Sequence, residues 1–215
     1  MKRINEYLSF FEAKEEPILS AEVYVINGNR NYLFDFGNDI SNIDEINSLN
    51  IYAVFVSHFH LDHIGQAKNI KCEHIYTSKF TSKYIEGAEI IDNFEINDGI
   101  KIEAISFPSG HAKGSLVLNI NNEILLVGDG LYASKDGYNV SLLHDSIRVL
   151  KSINTKYVIM SHTNGEMNKI ENVISDLENI YSKKDVAFLT TPFINLNYHR
   201  SSIFTEKTSK SHCCI

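Results

Sequence analysis

A chain of 215 residues with 43% hydrophobic content can bury a sizeable core, and it fits one domain better than two. Its formal charge of −7 and pI near 5.7 create no field for phosphate backbones or anionic lipid, which excludes general nucleic-acid and membrane-surface binding and favours a small soluble substrate. The charged, mixed segment 1–16 lacks the apolar stretch of a signal peptide, and no apolar run is long enough for a membrane span, so a cytoplasmic protein is expected.

The opening segment Asn5 to Glu12 reads as helical. Glu22 to Ile26 and Asn31 to Asp35 then read as two strands of a hairpin, joined by the tight turn Asn27-Gly28-Asn29-Arg30. Asp39 to Leu49 has Ile43, Ile46 and Leu49 on one helical face, and Tyr52 to Ser57 is a strand-length apolar run. A short helix near Gly65 to Asn69, a strand at His74 to Thr77 and a helical segment from Ser78 to Ile85 follow. Asn97-Asp98-Gly99 is a hairpin turn. Ile100 to Phe107, Ser115 to Asn121 and Glu123 to Val127 are strands, the last two parted by Asn121-Asn122.

A helix from Leu142 to Ile153, a strand from Tyr157 to Met160 and an amphipathic helix from Glu166 to Tyr181 complete the pattern, with Val186 to Thr190 as a candidate last strand. Strands in two successive groups, each followed by helices, predict an α/β fold of two face-to-face mixed sheets with helices outside, an αββα sandwich. One domain over residues 1–196 is expected, with a polar, loosely ordered tail over 197–215. Three cysteines, Cys72, Cys213 and Cys214, make neither a disulfide framework nor a thiolate zinc site.

The chemistry concentrates in Ser57-His58-Phe59-His60-Leu61-Asp62-His63, which follows the apolar strand and leads into a helix. In extended chain, positions i and i+2 share a face, so His58 and His60 can address one metal ion while the turn at Leu61 swings Asp62 and His63 toward a second. So few ligands do not hold zinc firmly, so further donors are required at strand ends. His111 after Phe107-Pro108-Ser109-Gly110, Asp129 within Val127-Gly128-Asp129-Gly130, and His162 after Tyr157 to Ser161 meet that requirement.

With His-x-His-x-Asp-His at 58 to 63, the chain resembles the metallo-β-lactamase superfamily over roughly residues 20 to 185. Leu33-Phe34-Asp35-Phe36-Gly37 resembles the family's early strand ending in Asp-x-Gly, and Ser109-Gly110-His111-Ala112-Lys113-Gly114-Ser115 its Gly-His-x-x-Gly-Ser segment. The resemblance implies a first metal on His58, His60 and His111, a second on Asp62, His63 and His162, and Asp129 bridging both. Asp35 then either accepts a hydrogen bond from a ligand histidine or caps the turn before Gly37. Such a site generates hydroxide near neutral pH as the nucleophile, with Asp62 orienting the attacking water. Two zinc ions per chain are expected, although imidazole and carboxylate also suit iron and manganese.

Within the family, Asp129 and a cytoplasmic setting argue against a β-lactam substrate. The segments 110–115 and 127–132 resemble glyoxalase II and its small relatives, which implies hydrolysis of a thioester or ester. Ala112-Lys113 replaces the usual Thr-Pro, and too little chain follows His162 for a glutathione-binding helical domain. The alternatives are a lactonase, with Tyr132 either reaching a carbonyl oxygen or packing under its loop, a phosphodiesterase, or a mononuclear iron persulfide dioxygenase. A symmetric homodimer is also compatible with this reading. His74 and His144 read as packing or surface residues, His199 and His212 with Cys213-Cys214 as at most an adventitious site, and Lys101, Lys113 and Arg148 as surface charges or contacts for an anionic substrate.

Overall fold

The computed structural model describes residues 1–131 and 138–183. Two mixed sheets face each other. The first has seven strands in the order β1 (Lys2–Arg3), β2 (Leu8–Phe11), β3 (Val23–Asn27), β4 (Asn31–Phe34), β5 (Ile51–Phe55), β6 (Cys72–Thr77) and β7 (Glu89–Ile90). The second runs β13 (Met167–Lys169), β12 (Tyr157–Ile159), β11 (Ile124–Leu126), β10 (Ser115–Ile120), β9 (Lys101–Phe107) and β8 (Phe94–Asn97).

Side-chain alternation explains why the sheets stack. Tyr24 and Ile26 of β3, Tyr32 and Phe34 of β4 and Ala53 and Phe55 of β5 share one core with Ile102 and Ala104 of β9, Leu118 and Ile120 of β10 and Ile124 and Leu126 of β11. The residues between them point outward on both sheets. Val25, Leu33 and Val54 pack with Ile46 of helix α1 (Ile43–Ser48) and with Ile70. Val117, Leu125 and Val158 pack under helices α3 (Val140–Ser152) and α4 (Ile170–Ser182), through Leu143, Ile147 and Leu150 and through Val173, Leu177 and Ile180. Strands covered on both faces read as continuous apolar runs, and the result is the expected αββα sandwich.

The two expected hairpins are present, with Val25 opposite Leu33 and Ile96 opposite Ile102. Asn121 and Asn122 both adopt φ 54°, the left-handed pair that a tight β10–β11 turn demands and that asparagine tolerates.

Four elements differ from expectation. Residues 8–11 form strand β2, not a helix, because Leu8 and Phe10 enter the inter-sheet core while Phe11 faces the outer layer. The helix after the histidine motif is a single turn, α2 (Leu61–Ile64), lying within the motif itself. The stretch from Ser78 tightens to a 3₁₀ turn over Thr81–Tyr84. Residues 167–169 pair with β12, delaying α4 until Ile170. Among the described residues no helix is long and apolar enough to cross a membrane. The expected strand at 186–190 and the tail at 197–215 lie outside the described residues.

Candidate metal centre

Strand direction brings the candidate residues to one end of the sandwich. In the second sheet β9 and β11 both run antiparallel to β10, and β12 runs parallel to β11. The carboxyl ends of β9, β11 and β12 therefore share an edge, and from them the chain continues to His111, Asp129 and His162. In the first sheet β4 and β5 are parallel, and their carboxyl ends lead to Asp35 and to the motif at 58–63. The sheets are tied at this end by Leu116 N–H donating to the Ser57 carbonyl at 2.8 Å. Gly128 must be glycine there: its φ is +56°, and a Cβ would lie 2.8 Å from the Ser57 Cβ.

All seven predicted side chains converge, in two groups. The candidate ligand atoms of His58, His60 and His111 lie within 4.8 Å of one another, as do those of Asp62, His63, Asp129 and His162. His60 Nδ1 and His111 Nε2 are 2.8 Å apart. Asp62 Oδ2 accepts from His162 Nε2 at 3.1 Å. Asp129 reaches both groups, its Oδ2 lying 3.3 Å from His111 Nε2 and 3.4 Å from His63 Nε2. The floor is dry, with His58 1% and His63 0% exposed, whereas Asp62, Asp129, His111 and His162 are partly open to solvent.

Does a cation fit? Two buried ring nitrogens, His58 Nε2 and His63 Nε2, face this cluster without a well-formed hydrogen bond. His63 Nε2 has carboxylate oxygens of Asp62 and Asp129 at 3.4 Å, a separation that fits charge attraction rather than an aligned hydrogen bond. Buried polar atoms are normally satisfied, so two orphaned donors or acceptors beside two carboxylates fit the coordination of cations. The donor set, imidazole nitrogen and carboxylate oxygen with no thiolate, fits zinc, iron or manganese.

Protonation divides the groups in the same way. Burial, aided by the neighbouring His63, pushes His58 down to about 2, and burial also lowers His60 and His111. These three are neutral imidazoles, the form that ligates. Burial would depress His63 as well, but the charge of Asp35, its bond to the ring and the nearby carboxylates of Asp129 and Asp62 outweigh it and raise His63. His162 is raised against its burial, chiefly by Asp62. Burial works to raise Asp62 and Asp129, yet the adjoining rings of His162 and His63 hold both far below the usual carboxylate range.

Asp35 is fully buried, with its backbone at φ 65°. Its Oδ2 lies 2.7 Å from His63 Nδ1 and accepts from Ser57 Oγ at 2.7 Å, while Oδ1 accepts from Ser57 N–H. It thus holds His63 by the far nitrogen, which fixes the ring so that Nε2 faces the cluster.

Two contributors escaped the sequence reading. Ser57 Oγ bridges Asp35 and lies 3.0 Å from His58 Nδ1, and a hydroxyl directly before the motif was its signal. Glu22, fully buried at the head of β3, accepts from the backbone of the His162 turn; its signal was a carboxylate opening an apolar strand.

Of the other histidines, His74 pairs with Glu89 at 2.6 Å and His144 of α3 stands beside Tyr181 of α4, neither in the cluster. Lys101 pairs with Glu95 and Arg148 with Asp145. Lys113 Nζ sits 4.4 Å over the Phe80 ring. Cys72 is a free, half-buried thiol, and Tyr132, His199, His212, Cys213 and Cys214 lie outside the described residues.

A two-sheet sandwich with a histidine and aspartate cluster at the carboxyl ends of its strands defines a class of metal-binding folds. Comparison narrows that class. The family model "Metallo-beta-lactamase superfamily" matches residues 18–78, the stretch from before β3 through the histidine motif to the end of β6. An archaeal metallo-beta-lactamase superfamily protein from Sulfolobus tokodaii is 17% identical, with a TM-score of 0.61 over 90% of this chain and 91% of that one. A metallo-beta-lactamase from Pontibacter korlensis is 16% identical, with a TM-score of 0.60 over 83% and 98%. The rubredoxin oxygen:oxidoreductase of Desulfovibrio gigas is 12% identical, with a TM-score of 0.64 over 86% of this chain and 61% of that one. No curated protein matches in sequence. The chain has the metallo-beta-lactamase superfamily fold, shared with proteins named as metallo-beta-lactamases and with one named as a rubredoxin oxygen:oxidoreductase.

Proposed function

We propose that this protein is a hydrolase that works with two bound cations, most simply zinc, and cleaves a thioester or ester. The observation that carries the reading is Asp129, one of whose carboxylate oxygens, Oδ2, lies 3.3 Å from His111 Nε2 in one ligand group and 3.4 Å from His63 Nε2 in the other. One carboxylate placed between two sets of imidazoles fits a pair of neighbouring cations, each needing anionic charge and oxygen or nitrogen donors. His58, His60 and His111 would hold the first ion, Asp62, His63 and His162 the second, and Asp129 both. When bound, such a pair supplies Lewis acidity, polarising a carbonyl oxygen and making water ionise near pH ~7 rather than 15.7.

The chain's own residues do the rest. Asp62 stays ionised because His162 and His63 hold it so, and its partly open side chain can accept a hydrogen bond from the attacking water and orient it. Hydrolysis adds that water across the acyl carbon to sulfur or oxygen bond, releasing a carboxylate and a thiol or alcohol. Within the motif, between its ligand residues, stand Phe59, stacked on Tyr84 at 4.7 Å, and Leu61, which is 68% exposed. This apolar rim and the acidic chain favour an acyl substrate over a nucleic-acid phosphodiester.

The test is metal analysis of protein purified without added metal, with thioester, lactone and bis-phosphodiester substrates offered to the wild type and Asp62→Ala. About two zinc ions per chain and thioester turnover lost in the variant support the reading. One iron per chain with oxygen consumption, or bound metal without hydrolysis, overturns it.

A further inference from the structure

Three of the four residues 162–165 in the turn that carries His162 are left-handed. His162, Asn164 and Gly165 all have positive φ, at 62°, 53° and 75°, a region that glycine and asparagine tolerate and that other L residues enter at some cost. Such a conformation persists only where its surroundings over-determine it.

Much of that determination comes from one side chain. Glu22 is 0% exposed; its Oε2 accepts from His162 N–H and its Oε1 from Asn164 N–H, each at 2.6 Å. Both carboxylate oxygens are used, on the two left-handed residues with side chains. The preceding residue grips the other half of the same pair, since Ala21 N–H donates to the Asp62 carbonyl at 3.0 Å. Consecutive residues at the head of β3 therefore clamp the backbones of Asp62 and His162, whose side chains meet at 3.1 Å.

We infer that Glu22 is a positioning residue for the second cation: it fixes the left-handed turn and so aims His162 at the position Asp62 also faces. This rests on reading Asp62, His63, Asp129 and His162 as a cation site. A carboxylate is needed because two separate N–H groups require two acceptors. Glutamine has the same reach but turns one acceptor into an NH₂ that confronts an N–H donor.

Glu22→Gln isolates this role. In chelator-treated protein titrated with cobalt(II), followed by its visible absorption, the first equivalent should bind as in the wild type. The second should weaken at least about tenfold, the scale seen when a residue supporting a metal ligand is lost. In a His162→Ala background the substitution should have no additional effect on the second equivalent, because Glu22 acts through His162. Two equivalents bound by Glu22→Gln with wild-type affinities overturn the inference, as does an equal effect in the His162→Ala background.

Amide hydrogen exchange tests the clamp without any metal and, in the wild type, without any variant. The amides of His162 and Asn164 should be strongly protected in the wild type, and unprotected amides there overturn the inference. A wild type that takes fewer than two cobalt ions overturns the two-cation reading instead. The clamp then stands if Glu22→Gln accelerates exchange at 162 and 164, and falls if it does not.

Discussion

Asp35 shows how much one buried carboxylate can fix. It is not itself a candidate ligand, but it holds the far nitrogen of the ligand His63, Nδ1, at 2.7 Å and takes two further bonds from Ser57. Asp35→Asn keeps the shape, removes the charge and places an NH₂ against donors. Zinc affinity at the second group should fall about ten- to a hundredfold, measured by competition with a chromophoric chelator; unchanged affinity would make Asp35 a turn residue only. At this scale the sequence was informative where side-chain type betrays chemistry. Histidines at 58, 60 and 63 with Asp62 announced themselves by density, and His111, Asp129 and His162 by their strand-end positions. Glu22 and Ser57 were not legible because they act on backbone and on other side chains across the fold. The partner of Glu22 is 140 residues away, and no local pattern encodes that.

Among elements, legibility followed the periodicity. β3, β4 and β9 to β11 were apparent from apolar runs and turn residues, and α4 from the helical spacing of Ile170, Val173, Ile174 and Leu177. Strand β2 was missed because Leu8, Phe10 and Phe11 sit in a segment whose charged neighbours mimic an amphipathic helix. What decides the matter is tertiary: Phe10 is 4% exposed, its ring is 5.8 Å from that of Tyr24, and it lies beneath Gly165, where a Cβ would meet it at 2.7 Å. Phe10→Ala should therefore cost about 3–5 kcal/mol, as for other large aromatic truncations in a core. Because the ring underlies the His162 turn, the second cation should be weakened along with stability. Urea unfolding of the chelated protein reads the first effect; a cost near zero would mean that residue 10 is not in the inter-sheet core.

At the scale of the molecule, the fold collects acid-sensitive groups at one edge, and their opposed shifts set the pH range in which the protein without metal can stand. His58, held at about 2 when folded, is near 6.5 unfolded. Below pH 6.5 the unfolded chain therefore binds a proton that the folded one refuses, and stability falls as pH falls. From pH 6.5 to 4.5 this group alone should remove about 2 kcal/mol, with His60 and His111 acting in the same direction. His63 and His162 are raised, so both states hold their protons below 6.5; their contribution is complete there and is lost only as pH rises through the folded values. Asp62 and Asp129 are lowered and lose their contribution only below about 3.8, where the unfolded carboxylates begin to protonate. The chelated protein should accordingly be most stable near neutrality and should lose urea midpoint steadily between pH 6.5 and 4.5. His58→Gln, which removes the dominant acid-sensitive group, should flatten that limb even if it lowers stability at pH 7. A midpoint that stays level over those two pH units in the wild type would mean that the three-histidine group is hydrated and free to protonate, and would remove the basis for a preformed cation site at the first position.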